Sequence, residues 1–211
     1  DCWPAISWSL VDFYLRPKAA WYYVRRAYHP VLFSFKEEDG QQISLWGTND
    51  TLADYRDRLE VGLKDFFGHT EYKEEFDVLL PANSARKIRE FSRNRLNVTY
   101  TNFEFLYVRP GNKGVGANLF FFKDFKDLNL PPCHLTITQP KKTGDTLEVS
   151  IKTDYFAKFI RIDCPRDDLS FSDNYFDLMP GEEKTVWIEQ TDGLLPEELA
   201  LDISALNSAS G

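Results

Sequence analysis

The 211-residue chain holds one methionine, three cysteines and three histidines, and no apolar run approaches the roughly 20 residues of a membrane-spanning helix. Each shortage excludes a class of function. Cys2, Cys133 and Cys164 are too few and too unevenly placed for a disulfide framework or a Cys-x-x-Cys metal clip. They read as packed free thiols, with a Cys133–Cys164 bridge left open. His29, His69 and His134 fall in different segments, without the mutual spacing of metal ligands. Positive charge is also in deficit: the net charge of −8 attracts neither nucleic acid nor an anionic membrane. The sequence therefore calls for no metal, no cofactor, no nucleic-acid partner and no membrane.

Aromatic residues are plentiful, with 17 Phe, 10 Tyr and 5 Trp. Rings suit the pleated, half-buried surface of strands, and the chain reads as mainly β. The stretch PKAAWYYVRRAYHP is the exception. Ala20, Trp21, Val24 and Tyr28 recur at helical spacing between Pro17 and Pro30. From Val31 the period changes to two, and VLFSFKEEDGQQISLWGTND reads as a hairpin turning at Asp39-Gly40. With that hairpin, the segments through GANLFFFKDF make a set of about seven short strands, the count of an immunoglobulin-like sandwich. The Pro-rich KDFKDLNLPP reads as a linker, and a second, smaller set of strands runs from HLTITQP to ELALDISAL. The expected architecture is two tandem immunoglobulin-like β-sandwiches, residues 30–125 and 126–211, preceded by a helical segment, residues 1–29. That helix needs an apolar partner, expected in the first sandwich or a neighbouring chain. It is most simply the end of a preceding domain.

Other clusters have bland readings. Asp163, Asp167, Asp168, Asp173 and Asp177 crowd one region but lack the glycine and order of a calcium loop, so they read as a solvated loop with turn caps. In FSDNYFDL, Ser172, Asp173 and Asn174 form a turn, with Tyr175 and Phe176 at a corner of the core. Of Phe120, Phe121 and Phe122, at most two share a strand face, which favours a core strand over a sugar-stacking platform. Asn49-Asp50-Thr51 and Asn97-Val98-Thr99 match the glycosylation acceptor pattern, a short pattern that arises often by chance.

The opening DCWPAISWSLVDFYLRPKAAWYYVRRAYHPVL resembles the end of the catalytic barrel of glycoside hydrolase family 2 β-mannosidases. There an Asn-Asp-Cys-Trp-Pro stretch closes the eighth strand and a last helix follows. LLPANSARKI, FAKFIRIDCP and FSDNYFDLMPGEEKTV resemble the two immunoglobulin-like domains beyond that barrel. The resemblance implies a helix left over from a TIM barrel and a parent enzyme acting on terminal β-mannosyl residues. It implies the catalytic part of the same polypeptide as partner, and carbohydrate as a partner only through that parent. Members are retaining exo-glycosidases with two catalytic glutamates, one following an Asn. This chain has no Asn-Glu pair, so no catalytic residue is assigned within it. Asp1 and Trp3 correspond to substrate-binding positions of the parent, Trp3 offering its indole to the sugar's C–H face. Two rivals stay open: a carbohydrate-binding module pair using Trp46 or Trp187, and the C-terminal region of another family 2 exo-glycosidase. A cytoplasmic, periplasmic, secreted or lysosomal parent is equally compatible.

Overall fold

The computed structural model describes residues 8–143, 146–165, 168–190 and 199–209. They form two compact units. One is Arg26–Leu130, and the other joins the described residues up to Arg25 with those from Pro131 onward.

The 26–130 unit is a sandwich of seven strands: β1 (Val31–Glu37), β2 (Gln42–Asn49), β3 (Tyr55–Asp65), β4 (Thr70–Leu80), β5 (Ser84–Ser92), β6 (Glu104–Pro110) and β7 (Asn118–Phe121). They pair as β1-β2-β5 and β4-β3-β6-β7. The fourth strand thus joins the third rather than the fifth, unlike the four-plus-three split of a constant-type immunoglobulin domain. Alternation builds the core. Ile43 and Leu45 from β2, Leu59, Val61 and Leu63 from β3, and Leu106 and Val108 from β6 are fully buried between the sheets, each stabilising the fold by about 1.5–3 kcal/mol. Gly47 permits the close approach of the layers, because a Cβ there would lie 2.7 Å from Ile88 and 2.8 Å from Leu80. The β1–β2 turn is held by Asp39, whose Oδ1 accepts the amides of Gln41 at 3.0 Å and Gln42 at 2.8 Å. Gly40 takes the positive φ of 79°, which a side chain resists.

The other unit packs β8 (Leu135–Ile137), β9 (Lys141–Thr143), β10 (Thr146–Thr153), β12 (Leu169–Phe171) and β14 (Glu183–Gln190) against β11 (Ala157–Asp163), β13 (Phe176–Leu178) and β15 (Asp202–Ser204). Leu147, Val149 and Ile151 alternate inward from β10 and meet Ile160, Ile162, Val186 and Ile188. β11 carries a bulge. Ala157 faces Leu178 and Ile160 faces Phe176, so Lys158 and Phe159 share the place opposite Asp177. Phe159 takes φ 53°, costly for a bulky side chain. Asp177 holds the bulge, accepting the Phe159 amide at 3.0 Å and the Lys158 ammonium at 2.6 Å. With Lys158 only 2% exposed, this is a buried ion pair within a β-sandwich and not the solvated loop expected from the Asp-rich sequence. Asn174 extends the same region, its side-chain amide pairing with both the N–H and the C=O of Ile162 at 2.9 and 2.8 Å, as a neighbouring strand would.

Helix α1 (Ala19–Ala27) differs from the expected packing in face and in partner. Its buried residue is Tyr22, whereas Val24 and Tyr28 are exposed. Tyr22 packs 6.0 Å from the Tyr175 ring and Tyr23 5.8 Å from Phe159, while the Arg25 guanidinium donates to the Ser172 carbonyl at 2.8 Å. The partner is therefore the sandwich that follows Pro131. Helical spacing identified a face, but the buried ring was chosen by the corner at Ser172–Tyr175, which lies far away in sequence. Burial, then the charge of nearby Asp173, pushes the Tyr22 phenol up to about 12.

Candidate functional site

Asp1 and Trp3, the substrate-facing residues implied by the resemblance, lie outside the described residues, as does Cys2. Immediately after them the chain forms a tight, well-bonded turn. Val11 and Pro17 make an antiparallel bridge. Asp12 organises the tip, its Oδ1 accepting the Tyr14 and Arg16 amides at 2.8 and 2.9 Å and its Oδ2 accepting Arg16 Nε at 2.9 Å. The Arg16 amide, more than the neighbouring charge, outweighs the opposing desolvation and holds the Asp12 carboxyl below its usual range. Leu15 takes φ 63°, a conformation that favours glycine.

This order presents apolar groups outward. Trp8 is 100% exposed, Leu15 82% and Tyr14 63%, and Phe13 meets the Tyr14 ring edge-on at 5.2 Å. Leu15 thus combines a disfavoured backbone conformation with exposure to water.

The other sequence candidates dissolve into structure. Cys133 and Cys164 are free thiols, Cys133 buried, and desolvation raises the pKa of Cys133. His69 Nδ1 lies 2.7 Å from Asp65 Oδ2 and His134 Nδ1 2.8 Å from Asp154 Oδ2, whereas His29 Nδ1 faces the Val31 carbonyl at 2.8 Å. The three rings are thus tied to separate local partners. Among the described residues no group of three or more His, Cys, Asp or Glu side chains is placed to hold a metal. Phe120 and Phe122 join the core of the 26–130 unit, while Phe121 turns to the opposite face beside Phe66 and Phe105, as strand alternation requires. Trp46 is half-buried, its indole donating to Ser44 Oγ at 2.9 Å, and Trp187 is 48% exposed. Trp46 belongs to the 26–130 unit and Trp187 to the other.

Asn49 is fully buried. Its Nδ2 donates to the carbonyls of Ala53, Leu80 and Pro81 at 2.9–3.1 Å, and its Oδ1 accepts from the amide and hydroxyl of Thr51. The acceptor-like tripeptide is a structural knot. Sequence reasoning missed this, because two of the three carbonyls it joins lie about thirty residues downstream.

Residues 41–127 match the Mannosidase Ig/CBM-like domain family and residues 130–205 an Ig-fold domain family of mannosidases. The chain carries two immunoglobulin-like domains of the mannosidase type. It is 26% identical to beta-mannosidase B of Thermothelomyces thermophilus over 89% of its length, covering 24% of that protein. With beta-mannosidase B of Aspergillus terreus it shares 25% identity over 89% of its length, again covering 24% of the relative. In structure it superposes on the beta-D-mannosidase of Dictyoglomus thermophilum with a TM-score of 0.85 and 25% identity, over 99% of this chain and 25% of that one. The exo-chitosanase CsxA of Amycolatopsis orientalis shares the fold at a TM-score of 0.67 and 15% identity, over 98% of this chain and 29% of that one. The chain thus spans about a quarter of the length of these relatives.

Proposed function

We propose that this chain is the non-catalytic C-terminal region of a β-mannosidase-like retaining exo-glycosidase acting on terminal β-mannosyl residues, its two sandwiches bracing the catalytic barrel. The observation that carries the reading is the turn of residues 8–18, which holds Trp8, Tyr14 and Leu15 in water within a chain that spans a quarter of its relatives. In this reading residues 1–29 are the end of the barrel, residues 30–125 and 126–211 are the two supports, and the rest of the polypeptide covers the turn. Asp1 and Trp3 then belong to the rim of the parent's sugar site, where the C-terminal ends of barrel strands gather catalytic and binding groups.

Retaining hydrolysis needs an acid and a nucleophilic carboxylate about 5–5.5 Å apart across the scissile bond. Three of the described carboxylates are held in ion pairs: Asp177 with Lys158, Asp173 with Lys184, and Glu60 with Lys73 and Arg109, Glu60 also accepting the Tyr107 hydroxyl. Burial alone would raise the Glu60 pKa, but these donors pull it below the usual range, the wrong direction for a general acid. The chain alone should hydrolyse an aryl β-mannoside no faster than buffer. Turnover that persists through repurification and vanishes on substituting one carboxylate would overturn the assignment.

A further inference from the structure

The 26–130 unit contains a cleft of about 490 Å³ lined by Asp65, Glu71, Thr99, Tyr100, Phe103 and Glu104 among others, within the usual size range of small-molecule sites. Two carboxylates make its walls rigid. Asp65, at the end of β3, accepts the amides of Phe67 at 2.9 Å and His69 at 2.8 Å. Glu104, at the start of β6, accepts the amides of Thr99 and Tyr100, both at 3.0 Å, through Oε2 alone. The loop between them is closed by the Phe103 and Glu104 amides on the Tyr100 carbonyl, at 2.9 and 3.1 Å.

Glu104 is 4% exposed and lines the cleft, and both of its amide hydrogen bonds fall on Oε2, which leaves acceptor capacity on Oε1. A hydroxyl donor in the cleft would meet that oxygen in a charge-assisted bond. Beside it, the Tyr100 ring is 63% exposed and stands on the loop that Glu104 fixes.

We propose that this cleft is a binding subsite for a neutral sugar residue, with Glu104 Oε1 and Glu71 accepting sugar hydroxyls and the Tyr100 ring stacking on the C–H face. The lining contains no lysine or arginine, so nothing there favours an anion. Its carboxylates are not grouped to hold a metal ion. Hydroxyl donors to carboxylates form strong, charge-assisted bonds, and the Tyr100 hydroxyl can donate back to a sugar oxygen. An ammonium ion, which only donates, could not use that donor. The site lies within one unit and needs neither the turn of residues 8–18 nor a catalytic partner, so it stands apart from the bracing role.

The test is amide NMR of the 211-residue chain titrated with β-1,4-mannobiose, cellobiose and methylammonium. Saturable shifts of Thr99, Tyr100 and Glu104 with either disaccharide are expected. Binding should weaken about tenfold in Tyr100→Ala and severalfold in Glu104→Gln, which keeps an acceptor for the two amides. Tyr100 is exposed, so its variant decides the matter if Glu104→Gln misfolds. No saturable shift with either sugar, equal binding by Tyr100→Ala, or a response to methylammonium alone would overturn the proposal.

Discussion

Replacing Asp177 by Ala removes the carboxylate that meets the Lys158 ammonium at 2.6 Å and the Phe159 amide at 3.0 Å. Both side chains of the ion pair are sheltered, at 2% and 14% exposure. Removing one partner of a buried pair costs about 3–5 kcal/mol. The lost Phe159 acceptor adds about 1–3 kcal/mol, partly offset if the bulge relaxes. A unit of this size is stabilised by roughly 4–12 kcal/mol in total. Asp177→Ala should therefore bring this sandwich near the edge of folding, lowering its melting temperature by more than about 12 °C. Calorimetry of the whole chain would show that transition move while the transition of the 26–130 unit stays in place. The double variant Lys158→Met with Asp177→Asn should recover most of the loss, since it removes the charge and keeps an acceptor for Phe159. A single variant within about 1 kcal/mol of wild type, or a double variant as unstable as the single one, would refute the view that Asp177 pins the bulge.

Asn49→Ala strands three carbonyls and the Thr51 amide, and should cost the 26–130 unit at least about 2–3 kcal/mol in urea unfolding. The hydrogen bond that the protonated His69 ring donates to Asp65, and secondarily the carboxylate's charge, raises the His69 pKa above 6.5. The associated stability is full below the unfolded pKa and is lost as pH rises through the raised folded value. An NMR titration should show Asp65→Asn returning His69 to its ordinary range. Tyr22, pushed up to about 12, should ionise later than in an unfolded chain, so its folding contribution holds below about pH 10 and fades as pH climbs toward 12. Comparing wild type with Tyr22→Phe in an ultraviolet phenolate titration would check this.

Many of the strands were legible because burial alternates with period two, as in Ile43 and Leu45 or Leu147 and Val149. The same logic placed Phe121 opposite Phe120 and Phe122. What the sequence hid depends on distant partners. Ala20, Trp21, Val24 and Tyr28 have good helical spacing, yet Tyr22 is the residue a remote corner covers. Asp177 looked like one more acid in a polar stretch, and only the bulge opposite it shows that it neutralises a buried lysine. The cleft was equally hidden, since its walls come from segments about thirty residues apart. The spacing of Tyr100 and Glu104 carries no recognisable motif.

The bracing role is tested most directly by adding this chain to a separately produced catalytic part of a β-mannosidase and following the thermal stability and aryl β-mannosidase activity of that part. Both should rise on mixing, and the gain should disappear when Tyr14 and Leu15 are replaced by serine, exposed positions whose change leaves this chain folded. A catalytic part equally stable and active with or without the chain would contradict the account.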